Sequence, residues 1–484
     1  MCAAVAFLLR DYFVDDAFIG FQYLKNLLAG NGFVFLAGDR PVEGVTNIGW
    51  LLAIAPAAAL VGPALAAKLA GCVLLAASLL LTAALGRTLR VRGSLVAPLL
   101  LASSFEFVYF SLAGMETALL ATVLLAMAWI ALRRPYSTAL PVLGVLAFLI
   151  HPEAAAVYPL YAAITYLRVT GEDARAETKT LDGRRLLLGI AVLAALVGAI
   201  TAARFAYFGD VVPNTFHSKP SGFDAMVQNG FSFLMGQNTN VGFPITGWLA
   251  IPVLAWGWLR LRQADMLAAV CAVGLAFAVY SPTDWTAMPR YFAPYLPAAL
   301  LLLWAGTTKI TSRLFVLPAT DRLATFFLAV VLLATNVVAS WNKIAELDRF
   351  PGYVLAGKTL VGPASWMRDH LPAQATIATR RIGALAYYSG HRVFDYAYGL
   401  PDATISRRVA CRGSRFDTPT DPALAAPWRE RLPEYLLEDE PILDAIIAES
   451  GGSRERFVIH GVAYRVVRRF PIGRDVPWVL AERL

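Results

Sequence analysis

LAAKLAGCVLLAASLLLTAALGRTLRVR, residues 65–92, joins an apolar run long enough to cross a bilayer to three arginines at its end. A helix rises ~1.5 Å per residue, so about 20 apolar residues cross a hydrocarbon core of ~30 Å, and residues 65 to 86 meet that length. Arg87, Arg90 and Arg92 then mark the cytoplasmic end, because Lys and Arg are enriched on that side of membrane helices. Working outward, further apolar runs give spans near residues 1 to 12, 93 to 108, 115 to 132, 138 to 150, 153 to 167, 186 to 208, 244 to 260, 264 to 281, 291 to 308 and 322 to 341, eleven in all. IGWLLAIAPAAALVG, residues 48 to 62, is too short and carries Pro56, so it reads as an interfacial or re-entrant helix. With that helix excluded, the loops at Arg87 to Arg92, Arg133/Arg134, Arg168 to Arg185, Arg260/Arg262 and Lys309 to Arg322 share one side. The opposite loops before residue 342 hold only Lys25, Arg40, Lys219 and Arg290. The basic side is therefore cytoplasmic.

Composition agrees with a helical multi-span membrane protein: 58% of residues are hydrophobic and 16% charged, with mean hydropathy +0.57. A soluble core of this size is excluded. Cys2, Cys72, Cys271 and Cys411 form no Cys-x-x-Cys or Cys/His cluster, so neither a zinc site nor a disulfide framework is expected. The net charge of +8 reports topology, and no nucleic-acid partner is implied. No cleavable signal follows the opening MCAAVAFLL. From residue 342 long apolar runs stop and charge rises. Helix-like LVGPASWMRDHLP, strand-like ATIATRRI, helical GALAYYSG, the strand RVFDY, the helix PILDAIIAES and the strands RFVIHG and AYRVVRRF describe a soluble α/β domain. Parity places it outside. The expected organisation is a membrane domain over 1–341, with a first outer loop over 13–64 containing interfacial helices, and an extracytoplasmic domain over 342–484.

Unusual polar residues gather on that outer side. Asp15 and Asp16 sit in Val-Asp-Asp-Ala-Phe-Ile; one Asp is enough to cap a helix beginning at Ala17, and the second asks for another role. Residues 17 to 29 place Phe18, Phe21, Leu24 and Leu28 on one stripe and Gln22, Lys25 and Asn26 on another, the pattern of an in-plane amphipathic helix. Arg204, Lys219 and Arg290 are cations at outer membrane ends, joined by the titratable His217, and phosphate recognition and snorkelling to headgroups are both open for them. His151 and Glu153 flank Pro152, so packing and ligand contact are equally open for them. Asn214, Asp284, Trp285, Trp50 and Tyr295 complete the outer set; interfacial aromatics form belts and also stack on sugars.

VDDAFIGFQYLKNLLAGNGFVFLAGDRPVEGVTNIGW, residues 14–50, resembles the first outer loop of GT-C type polyprenyl-phosphate-sugar-dependent glycosyltransferases, in particular the terminal arabinofuranosyltransferase group. Glu43-Gly44-Val45-Thr46-Asn47 fits the group's Glu-Gly-aromatic-Ser/Thr-Asn element, with Val45 in place of the aromatic. Ala113-Gly114-Met115-Glu116-Thr117, His151-Pro152-Glu153, Val212-Pro213-Asn214-Thr215-Phe216-His217-Ser218-Lys219 and Asp284-Trp285 through Arg290-Tyr291 and Pro294 resemble later elements in order. So do Gly383-Ala384 to Tyr388, Asp395 and Gly399-Leu400-Pro401-Asp402 of the outer domain. His151 stands where the group has Arg.

The resemblance implies inverting transfer of a sugar, D-arabinofuranose above others, from a polyprenyl-phosphate donor to a hydroxyl of an envelope glycan, glycolipid or protein. It implies a monomer in the bacterial inner membrane with its site on the periplasmic side and no cofactor or metal. By that resemblance Asp15 is the base, and Asp16 orients it or the sugar. His217, Lys219, Arg290 and Arg204 receive the phosphate, and Glu43, Asn47, Trp50, Glu116, His151, Glu153, Asn214, Asp284 and Trp285 shape the sugar and acceptor pocket. A mannose or other lipid-linked donor is the alternative within the class. A transporter is the alternative outside it, although transporters place paired broken helices and charges at mid-membrane rather than at one rim.

Overall fold

The structure is a computed structural model that describes residues 9–171, 176–218, 227, 247–261, 263–281, 290–315, 317–345, 359–472 and 475–484. Lys219, Asp284 and Trp285 lie outside the described residues, as does most of the expected first span. The helices form a multi-pass bundle: α1 (Asp15–Leu28), α2 (Ile48–Val61), α3 (Pro63–Thr88), α4 (Val96–Ser103), α5 (Phe105–Leu112), α6 (Thr117–Arg133), α7 (Ala139–Ile150), α8 (Val157–Gly171), α9 (Ala176–Phe208), α10 (Asn214–Ser218), α11 (Gly247–Arg260), α12 (Asp265–Tyr280), α13 (Leu296–Leu314) and α14 (Pro318–Ala345).

Among the described residues, three helices are long and apolar enough to cross a membrane alone: Pro63–Thr88, Asp182–Phe208 and Pro318–Ala345. A fourth counts if α5 and α6, bent by 111°, are taken as one span. The expected count of eleven is not confirmed on this criterion: most of the other apolar helices among the described residues are shorter, and α13, at 19 residues, is long enough but is not among the three. α2 has 14 residues, about 21 Å at ~1.5 Å per residue, short of a ~30 Å hydrocarbon core. It ends at Gly62 with φ +82°, a left-handed turn that glycine adopts freely, and α3 starts at once with Pro63 in its first turn.

The run expected as one span over 93 to 108 is instead broken at Ser104 into α4 and α5. A break inside a membrane bundle frees backbone groups that lipid cannot satisfy, and α14 supplies the partners. Asn336 Nδ2 donates to the Leu100 carbonyl at 2.9 Å and to Ser103 Oγ at 2.6 Å. Ser340 Oγ donates to the Ser103 carbonyl at 2.6 Å and accepts from the Phe105 N–H at 3.1 Å. Lys343, further along α14, pairs with the buried Glu106.

The C-terminal domain, called the outer domain after the side expected for it, holds one six-stranded sheet in the order β2-β1-β3-β6-β5-β4, made of β1 (Thr376–Thr379), β2 (Arg392–Asp395), β3 (Tyr435–Asp439), β4 (Arg456–Ile459), β5 (Val462–Ile472) and β6 (Asp475–Arg483). β1 runs parallel to β2 and β3, and the remaining pairs are antiparallel. The helices are α15 (Val361–His370), α16 (Ile382–Ser389), α17 (Ala403–Arg412), α18 (Ala425–Arg431) and α19 (Glu440–Ser450). The expected elements are present. Two central strands, β3 and β6, were not legible: Tyr-Leu-Leu-Glu-Asp runs straight into a helix, and β6 follows β5 too closely to read apart.

α1 corrects the reading of an in-plane surface helix. Its polar stripe is buried along with its apolar one, because Gln22 Nε2 donates to the Phe35 carbonyl at 3.1 Å and Asn26 Nδ2 to those of Val34 and Phe35 at 3.0 and 2.8 Å. The outer domain covers the other side: Phe18 packs on Tyr387 and Tyr388 of α16, with ring centroids 5.5 and 5.2 Å apart. Only Lys25 and the end of the helix stay in solvent.

Candidate active site

A cavity of about 880 Å³ lies between one end of the bundle and the C-terminal domain. Its wall brings together Asp15, Asp16, Asn47, Glu116, His151, Glu153, Arg204, His217 and Arg290 from the membrane domain with Arg380, Arg381, Asp395 and Tyr398 from the outer domain. Residues up to 395 positions apart in sequence thus share one wall (15 to 410). The volume is that of a small-molecule site.

The two neighbouring aspartates have different surroundings. Asp15 is 5% exposed, and its carboxylate accepts from the backbone N–H groups of Gly383 at 3.1 Å and Ala384 at 2.8 Å. It therefore caps a helix, but in the outer domain: α1 itself has no side-chain cap, whereas the first N–H groups of α16 find their acceptor in Asp15. The approach is so close that a Cβ on Gly383 would sit 2.1 Å from the Asp15 carbonyl oxygen. Burial pushes the Asp15 carboxyl up to about 6, against the lowering effect of the two N–H groups and of Arg381. Asp16, with 27% of its side chain exposed, pairs through Oδ2 with Arg290 Nη1 at 2.7 Å.

Opposite lies a hydrogen-bonded acid and imidazole chain. Asn47 Nδ2 donates to Glu116 Oε2 at 2.6 Å. His151 faces Glu116 at 3.4 Å through Nε2 and bonds Glu153 through Nδ1, and the Tyr295 hydroxyl reaches Glu153 at 3.4 Å. Burial disfavours the imidazolium, but the carboxylates of Glu153 and Glu116 outweigh it and raise His151 to about 10. Burial likewise opposes ionisation of Glu116, yet the bonds from His151 and Asn47 hold its carboxyl below the usual range. His151 is thus a fixed cation at neutral pH, with the charge, though not the fork, of the Arg that the resemblance leads one to expect.

Several sequence-selected residues stand behind the wall instead of in it. Trp50 is 1% exposed, and its indole N–H donates to the Gly114 carbonyl at 3.0 Å. Glu43 pairs with Arg204 at 2.6 Å, with 1% and 6% of the two side chains exposed. Burial pushes Glu43 up to about 7 against the attraction of Arg204. Arg204 touches the cavity with its charge already compensated. Asn214 is a clasp: its amide donates to the Gly399 and Leu400 carbonyls at 2.7 and 2.8 Å and accepts from Ser406 Oγ at 2.6 Å. Asp395 shapes the clasped loop by accepting from the N–H groups of Ala397, Tyr398 and Leu400. His217 lines the cavity and pairs with Asp210 at 3.0 Å.

Arg381 and Tyr398 were missed. The legible signal was Thr-Arg-Arg-Ile between a strand and a helix, since ligands gather beyond the carboxyl ends of parallel strands. β1 ends there.

A family described as "Domain of unknown function (DUF8728)" matches residues 355–480. No curated protein matches the sequence. Among solved structures, ArnT from Cupriavidus metallidurans bound to undecaprenyl phosphate is similar at TM-score 0.54 and 15% identity, over 99% of this chain and 96% of that one. The Archaeoglobus fulgidus oligosaccharyltransferase tethered with an acceptor peptide is similar at TM-score 0.55 and 11% identity, over 93% of this chain and 69% of that one. Arabinofuranosyltransferase AftD from Mycobacteria is similar at TM-score 0.50 and 16% identity, over 99% of this chain but 39% of that one. The chain has the GT-C fold that these glycosyltransferases carry.

Proposed function

We propose that this protein is a polyprenyl-phosphate-sugar-dependent glycosyltransferase of the inner membrane. It moves D-arabinofuranose, with inversion, to a hydroxyl of an envelope glycan, glycolipid or protein on the periplasmic face, without a metal or other cofactor. The observation that carries the reading is a buried carboxylate, Asp15, beside a largely buried guanidinium, Arg290, that lines the same cavity and is ion-paired to the part-exposed Asp16, in a GT-C fold. That one structure of this fold holds undecaprenyl phosphate supports a lipid-phosphate donor.

The proposed step is a single displacement. Asp15 accepts the proton of the acceptor hydroxyl, the freed oxygen bonds to the anomeric carbon, and the bond from that carbon to the phosphate oxygen breaks. Burial keeps the base stronger than a free aspartate while leaving it ionised at neutral pH, and the Gly383 and Ala384 amides fix its direction. Arg290 meets the charge that grows on the departing phosphate, with Lys219 as a further cation and the His217 imidazole as a further phosphate contact, and Asp16 holds Arg290 in place. Asn47, Glu116, His151 and Glu153 offer both donors and acceptors to sugar hydroxyls.

The test is transfer from synthetic decaprenyl-phosphoarabinose and from a polyprenyl-phosphomannose by wild type, Asp15→Asn and Asp16→Asn, with envelope extracts as acceptor. Turnover with the arabinose donor that Asp15→Asn abolishes supports the reading. Preference for mannose replaces the sugar, and equal turnover in all three proteins removes the catalytic assignment.

A further inference from the structure

We propose that Lys68, a charged residue inside α3, is a positioning residue that locks the acid pair and Glu116 at a fixed spacing; this rests on the transferase reading above. Lys68 Nζ donates to the carbonyls of Leu9 at 2.8 Å, Tyr12 at 2.7 Å and Leu112. Its ammonium also lies 4.2 Å from the centre of the Phe13 ring. An ammonium has three N–H donors, and all three are used.

What they tie together is specific. Leu112 is the last residue of α5, where helix carbonyls lack partners and the dipole is negative, so a cation is favoured there. Tyr12 lies three residues before Asp15. The two chains run side by side: the Val14 N–H donates to the Ala113 carbonyl at 3.4 Å, and Trp50 reaches the Gly114 carbonyl from the other side. Gly114 has φ +88°, and a Cβ there would meet Ala17 and Phe13 at 2.9 Å, so the junction has no slack. One connecting segment leads into Asp15 and Asp16, the other into Glu116, and all three line the cavity. Lys68 does not line it. Its part is to fix how far the acid pair stands from the acid that faces it, and transfer geometry loses ~100-fold for displacements near 1 Å.

The experiment compares wild type with Lys68→Met, which keeps the stem and removes the donors, and Lys68→Arg, which restores donors and charge. Thermal unfolding, hydrogen exchange by mass spectrometry, and kcat and KM for the polyprenyl-phosphate donor are read on each detergent-purified full chain. The expected result for Lys68→Met is faster exchange confined to residues 12–17 and 113–117, with kcat lower by about 100-fold, KM within about threefold and partial recovery in Lys68→Arg. Unchanged exchange at both segments, or full kcat in a folded Lys68→Met, overturns the proposal. If Lys68→Met does not fold, Trp50→Phe loosens the same junction more gently: a drop in kcat at constant KM supports the clamp, and wild-type kcat overturns it. If wild type transfers no sugar while Lys68→Met shows the localised exchange, the clamp stands and the transferase reading falls.

Discussion

Two arginines, Arg290 and Arg204, reach the same cavity, and their carboxylate partners differ in burial. At the rim, Arg290 meets Asp16 with 9% and 27% of the side chains exposed; in the wall, Arg204 meets Glu43 with 6% and 1% exposed. A buried pair is held by its own partner, and breaking it strands a charge out of water. A pair with an open carboxylate can exchange that partner for an incoming anion at lower cost. The same residue types therefore divide into a pair that serves a ligand and a pair that serves the fold, and sequence alone does not separate them.

The largest expected effect breaks the rim. Asp15→Asn is expected to lower turnover about 10³-fold, within the range of general-base removal, while thermal unfolding moves little, since an Asn oxygen still accepts one amide of α16. Next, Arg290→Met is expected to lower kcat about 100-fold at nearly unchanged stability; its measurement against Arg204→Met is the direct test of the comparison. Arg204→Met is expected to cost about 3 kcal/mol of stability, with Glu43→Gln/Arg204→Met recovering much of it, as read by chemical unfolding. Equal stability of the Arg290 and Arg204 variants would merge the two pairs into one class.

The smaller effects are in pH. Turnover should rise as pH increases through about 6, where Asp15 loses its proton, and Asp15→Asn should flatten that limb of the profile. His151 is raised from 6.5 to about 10 on folding. Its contribution to stability is therefore full below about pH 6.5 and fades as pH rises through about 10. Unfolding of His151→Gln against wild type should show the largest gap at pH 6 and a closing one at pH 10.

Much of the outer-domain signature was readable as sequence and became intelligible only as contact. Gly383-Ala384 is the amide pair that receives Asp15, and Gly399-Leu400 is the carbonyl pair that Asn214 grips. Periodicity shows a helix or a strand from local spacing, but a hydrogen bond between residues 15 and 384 leaves no local pattern. The break at Ser104 was hidden for the same reason: Ser103, Ser104 and Glu106 interrupt the apolar run without locally marking a helix end, and the groups that permit it, Asn336 and Ser340, lie on another helix.

Hydropathy and charge act residue by residue, so the chain's order of residues was enough to read a membrane-embedded helical bundle followed by a C-terminal sheet. Which of the chain's charges face a cavity and which face each other was decided by tertiary structure. Burial and partner distance set a side chain's ionisation and availability, and both depend on chain segments hundreds of residues apart. Asp15 and Asp16 are neighbours of one chemical type. Only the fold gave one of them two amides of the outer domain and the other an arginine.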